Sequence, residues 1–210
     1  MFNTKFTKTE IYSFLTGIFC TCLLISNILA FKVFALGDII LPCSVIIFPI
    51  TYMINDILAE IYGLQKTKTI IYLGFLLNLL AVFLFQIAIY LPAPSYFTGS
   101  IAFETVLTNS LRVLIASFSA YLLGSLINSY LMVYLKKKAE KYLFFRCITS
   151  TFFGECVDSF LFISIAFYGS VPLFVLITMI IAQTLFKTGF EIVTYPITRK
   201  LIFYLRSLKS

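Results

Sequence analysis

FPITYMINDILAEIYG, residues 48–63, places two carboxylates, Asp56 and Glu60, in an otherwise apolar run. Four residues apart, they share one face of a helix. The chain around them is strongly apolar. Only 12% of its 210 residues are charged and 60% are hydrophobic, with a mean hydropathy of +1.01. Soluble domains carry roughly 25% charged residues. Charge depletion with apolar runs of ~20 residues marks an integral membrane protein. There a carboxylate at the bilayer centre costs at least ~2.5 kcal/mol, so it turns into the bundle and marks a functional position.

On either side of this stretch the pattern repeats: six apolar runs cover residues 11–31, 42–62, 69–91, 106–135, 147–168 and 173–204. Each matches the roughly 20 residues a helix needs to cross the hydrocarbon. None alternates as a membrane strand does, so strands are not expected. The expected fold is an all-α polytopic membrane protein: six transmembrane helices in a single domain, residues 1–210. Lysine and arginine set its orientation. Thirteen of the sixteen fall on one side of a six-span arrangement: Lys5, Lys8, Lys66, Lys68, Lys136–Lys138, Lys141, Arg146, Arg199, Lys200, Arg206 and Lys209. Lys32 alone lies in the opposite loops, and Arg112 and Lys187 lie within spans. Both termini are therefore expected in the cytoplasm, with the chain multi-pass in the cell (inner) membrane. The net charge of +7 is accounted for by this bias and by anionic lipid; no nucleic-acid partner is expected. Residues 1–31 read as a retained span, because the apolar run is too long for a signal peptide and lacks a clear A-x-A site.

The chemistry available is narrow. There is no histidine, which removes the usual general base and the commonest metal ligand. Cys20, Cys22, Cys43, Cys147 and Cys156 make no metal or CxxC spacing and read as small apolar fillers. No Walker A sequence is present. No catalytic residue, metal or cofactor is expected, and an intramembrane enzyme using its paired acids is disfavoured.

Five acids nonetheless lie inside spans: Asp56, Glu60, Glu155, Asp158 and Glu191, joined by Lys187. Counting ~1.5 Å of rise per residue puts all six in the cytoplasmic half of spans two, five and six. Asn27, Asn78, Gln86, Ser125, Asn128, Ser129 and Gln183 add neutral hydrogen-bonding groups. Together they describe a polar, net-acidic cavity for a substrate or ion. Blander readings stand beside it. Lys187 and Glu191 could neutralise each other, Glu60 could be solvated at the interface, and the amides and serines could be interhelical glue. Arg112, at the outer start of span four, could snorkel or close an outer gate. EIYG (60–63) ends span two and AFYG (166–169) ends span five, each after an acidic cluster. This faint echo fits a 3+3 inverted repeat with the site between halves.

FPITYMINDILAEIYG (48–63), RVLIASFSAYLLGSLINSYL (112–131), STFFGECVDSFLFISIAFYG (150–169), FKTGFEIVTYPIT (186–198) and SNIL (26–29) resemble the queuosine precursor transporter family, also called the vitamin uptake transporter family. The resemblance runs through essentially the whole chain in order. It implies a six-span inner-membrane protein that takes up 7-deazaguanine bases for salvage into tRNA. The matching positions are Asn27, Asp56, Glu60, Arg112, Ser117, Tyr121, Glu155, Asp158 and Lys187. With Glu191, all but Ser117 form the expected substrate-binding set. Asn128, where some relatives have an acid, and Glu155, where some have asparagine, depart from the pattern and bear on which deazaguanine is preferred.

The substrate class fits the residues. One edge of a 7-deazaguanine offers ring N–H and amine donors that a carboxylate accepts together. Tyr52, Tyr121, Phe153 and Phe162 are stacking candidates. A second acid could pair the aminomethyl cation of preQ1 or queuine; preQ0, a neutral nitrile, needs none. Proton coupling through a buried carboxylate and passive facilitation with trapping in tRNA both stay open, as does a homo-oligomer. The competing reading is a substrate-binding component of a multi-subunit vitamin importer. Against it, span one carries TGIFCTCLL in place of an A-x-x-x-A docking pattern.

Overall fold

The computed structural model describes residues 7–208 except 31, 38 and 108–110; the side chains of 36, 39, 40 and 111–114 also lie outside the description. Helix α1 spans Lys8–Leu29. Thr7 caps it: its hydroxyl accepts from the Glu10 N–H at 3.2 Å, and the Glu10 carboxylate accepts from the Thr7 N–H at 2.7 Å. The reciprocal pair satisfies two otherwise orphaned donors. Leu15, Phe19, Cys22, Leu23 and Ser26 form its buried stripe, at the three- and four-residue spacing of one helix face.

A hairpin follows that periodicity did not lead one to expect. Strand β1, Val33–Leu36, pairs antiparallel with β2, Ile39–Pro42. Gly37, at φ 62°, turns the chain between them, a conformation that suits residues without a Cβ. The pairing is too short to give an alternation signal. A 3-10 turn, Cys43–Ile46, then leads into α2, Phe48–Tyr90. Pro49 in its first turn is pre-set for a helix start.

Straight, the 43 residues of α2 would extend ~65 Å, about twice the hydrocarbon thickness. Gly63 divides it, with φ 79° and ψ 171°, a combination essentially restricted to glycine. The arm 48–62 is buried along nearly its whole circumference, from Phe48 to Glu60. The arm 64–90 exposes Leu76, Leu80, Phe83 and Leu84. The acid-bearing arm is thus the central post of the bundle, and the next arm is part of its wall.

Beyond it come α3, Ser100–Leu107, with no buried residue, then α4, Leu111–Lys138, α5, Leu143–Phe167, and α6, Leu173–Ser207. The fourth run, read as 106–135, is divided between α3 and a later-starting α4. The fifth helix starts four residues before its expected 147, which carries Arg146 into it. Helices α4 and α5 approach closely at Gly124 and Gly154. A Cβ on either would come within 2.9 Å of the other's carbonyl oxygen. Tyr52 seals the crossing, its hydroxyl pressed against the place where a Gly124 Cβ would stand.

Helices α1, α2, α4, α5 and α6 are long and apolar enough to cross a membrane. Exposed leucine, phenylalanine and isoleucine cover their outer surfaces, while carboxylates, amides and hydroxyls are buried between them. An apolar exterior around a polar interior is stable where the surrounding solvent is lipid.

Candidate functional site

The buried charges fall into three groups rather than one cavity. The first is built on Lys187 of α6. Its ammonium lies 2.5 Å from Asp158 Oδ2 and 2.8 Å from Glu155 Oε2, both on α5, and 4.2 Å from the Phe48 ring centroid on α2. The reading that pairs Lys187 with Glu191 on its own helix is therefore corrected. The ammonium turns toward α5, where two acids one turn apart offer more charge than one. Cation–π attraction to Phe48 adds to its hold.

This group borders a narrow cleft lined by Ser26, Asn27, Ser44, Phe48, Ser117, Ala120, Asp158, Phe162, Gln183 and Lys187, with Ala30. Its cavity volume is about 30 Å³. Two aromatic rings, one ion pair and several amides and hydroxyls thus converge from five helices and the 3-10 turn. Of the stacking candidates, Phe162 lines the cleft. Phe153 is half-exposed on the outer surface, and Tyr52 is buried at the α4–α5 crossing.

The second group is built on Glu60. Arg146 of α5 grips its carboxylate with both terminal nitrogens, at 2.6 and 3.3 Å. Arg206 of α6 pairs with the same carboxylate, and Lys136 of α4 donates to the Glu60 carbonyl at 2.6 Å. Bidentate arginine pairing is among the stronger charge-assisted contacts. The end of α2's first arm, the end of α4, the start of α5 and the end of α6 are knotted on one acid. Arg146 is fully buried. Sequence reasoning assigned it to a loop as a topology marker and missed it as a partner. The available signal was the imbalance of five deep acids against one deep base. Twelve residues of α5, ~18 Å, separate Arg146 from Asp158, so knot and cleft occupy different levels.

The third group lies between. Asp56 Oδ1 accepts from the Asn128 amide at 2.9 Å, with the Ser150 hydroxyl at 3.5 Å. Asn55 donates to Asn128 Oδ1 at 2.8 Å. Glu191 is fully buried, and neither of its oxygens has a hydrogen-bond partner.

Of the expected site residues, Asn27, Asp158 and Lys187 line the cleft, and Glu155 touches it through Lys187. Asn27 also donates to Asn78 at 2.7 Å. Asp56, Glu60 and Glu191 stand away from the lining. Tyr121 instead ties α4 to α2, its hydroxyl donating to the Ile71 carbonyl at 2.7 Å. Arg112 starts α4, and its side chain lies outside the described residues.

A lipid-compatible helical bundle with a charged cleft between its helices is the architecture of a polytopic membrane protein. Residues 42–201 match the family described as "Putative vitamin uptake transporter", and the chain belongs to that family, one of transporters and not of enzymes. Two curated relatives are both named "Probable queuosine precursor transporter". One, from Haemophilus influenzae, is 28% identical over 169 residues, covering 73% of this chain and 68% of the relative. The other, from Bacillus subtilis, is 26% identical over 148 residues, covering 69% of this chain and 64% of the relative. No solved structure matches the chain.

Proposed function

We propose that this chain imports queuosine precursors, 7-deazaguanine bases such as preQ0, preQ1 or queuine, for tRNA queuosine salvage. The cleft carries this reading. Asp158 supplies a carboxylate for the donor edge of the base, and Phe48 and Phe162 supply flat faces for its ring. Asn27, Ser117 and Gln183 supply the remaining polar contacts, and Glu155 completes the charge around Lys187. The names of the relatives support the same substrate class.

The arms of α2 on either side of Gly63 serve as two spans in this reading. That gives six crossings, with both termini in the cytoplasm of a cell (inner) membrane protein. Three plus three spans then have opposite orientations, as an inverted repeat requires. The Glu60 knot falls on the side rich in lysine and arginine, so it closes the cytoplasmic end below the cleft.

The test is uptake by cells that lack deazaguanine synthesis and their own importer but retain the enzymes that insert each base. Each base is supplied separately and queuosine in tRNA is assayed. Restoration by one base names the substrate. Failure with all three, with the protein verified in the membrane, overturns the reading. Transport by the purified chain in liposomes separates a self-sufficient carrier from a binding component that needs partner subunits.

A further inference from the structure

Two contacts fix how α2's first arm lies along α6. At one end the Phe48 ring meets Lys187; at the other Glu60 meets Arg206. Asp56 lies two turns beyond Phe48, and Glu191 one turn beyond Lys187, so both fall in the stretch these contacts bracket. Each carboxylate is fully buried. Three of their four oxygens, Asp56 Oδ2 and both of Glu191, have no hydrogen-bond partner. Among the described residues, no lysine or arginine pairs with either. Lys187 is held by Glu155 and Asp158, and Lys136, Arg146 and Arg206 are held by Glu60.

Two ionised carboxylates in a dry interior with no cation are far costlier than one ionised and one neutral. We propose that Asp56 and Glu191 form a proton-binding site between the cleft and the Glu60 knot. A single proton on the pair leaves one negative charge. That charge belongs on Asp56, where the Asn128 amide already donates to Oδ1. The proton belongs on Glu191, whose oxygens receive no donor that would hold a negative charge. The other titratable groups facing the pair are Tyr52 and Glu60 on α2 and Cys147 and Glu155 on α5. The described part of α4 contributes the neutral Asn128. A proton suits this donor set better than a metal cation. Alkali and alkaline-earth ions gather many oxygens, and the described residues hold no group of three or more metal-ligating side chains.

As the energy source for uptake this rests on the transport reading; as a binding site it does not. The first measurement is infrared spectroscopy of the purified chain in liposomes across a pH series. A protonated-carboxyl carbonyl band is expected at neutral pH. It should be lost in Glu191→Gln and shifted but retained in Glu191→Asp, which keeps a carboxyl. No such band in the unaltered protein overturns the site, as does a band indifferent to both Glu191 substitutions and to Asp56→Asn. Displacement of the band by sodium ions would make it a metal-cation site and overturn the proton assignment. The second measurement imposes a pH gradient, acid outside. With one proton per neutral base, about tenfold accumulation per pH unit is expected. Base movement indifferent to the gradient overturns the coupling. Absence of any base movement with the infrared band intact overturns the transport reading instead.

Discussion

Lys187 is buried against two acids of a neighbouring helix, and the chemistry of the cleft follows from how that triad is balanced. Removing the ammonium strands Glu155 and Asp158 in an apolar surround. Lys187→Met should therefore destabilise the bundle by ~3–5 kcal/mol, the scale for breaking a buried ion pair from one side. Thermal unfolding in detergent checks this, and unchanged unfolding would mean the acids find other partners. Asp158→Asn is gentler, because Lys187 keeps Glu155. It should leave membrane insertion intact and abolish uptake, since the amide replaces an acceptor that the donor edge of the base requires. Near-normal uptake by this variant would remove Asp158 from the substrate site.

At the level of elements, the Glu60 knot joins four helix ends and Gly63 breaks α2 three residues later. Arg146→Ala leaves Glu60 with Lys136 and Arg206, whose side chains are 34% and 37% exposed. Those pairs are screened by water and count for little by themselves. The expected cost is ~3 kcal/mol or more, with looser closure of that end. A cysteine introduced at Ser150, one turn inside Arg146, should react faster with a membrane-impermeant thiol reagent added from the cytoplasmic side when Arg146 is alanine. Equal rates would show that the knot does not close the bundle. Gly63→Ala forces a Cβ into a backbone region that costs ~1–3 kcal/mol, and unfolding should register it. Gly154→Ala acts differently. Its Cβ would lie 2.9 Å from the Gly124 carbonyl oxygen, so α4 and α5 must separate, at an overpacking cost of ~1–3 kcal/mol.

For the whole molecule, the apolar exterior and the lysines and arginines that the proposed six-span arrangement gathers on one side make orientation a measurable property. Reporters fused to the two ends should both show cytoplasmic location, and a periplasmic reading at either would break the six-span arrangement. Composition alone was enough to identify a helical membrane protein, because lipid excludes any spanning structure that leaves backbone groups unpaired. The order of apolar runs, the polar interior and the acids Asp56, Glu155, Asp158 and Glu191 were legible as well, since a charge inside a span is too costly to lie against lipid. Partner choice was not. Sequence spacing sees neighbours along one helix, which is why Lys187 could be read against Glu191 while its ammonium reaches across to α5. Arg146 passed for a loop residue because the start of α5 carries no capping signal. The hairpin was too short to alternate. The separation of cleft, proton pair and knot depends on how far each helix is shifted along its neighbours, and packing at Gly124, Gly154 and Tyr52 sets that shift. The order of residues was sufficient for the solvent, most of the secondary structure and which side chains are out of place in lipid. Which of those side chains meet emerged from the packed bundle, because an ion pair between helices is a distance in space that no spacing along the chain encodes.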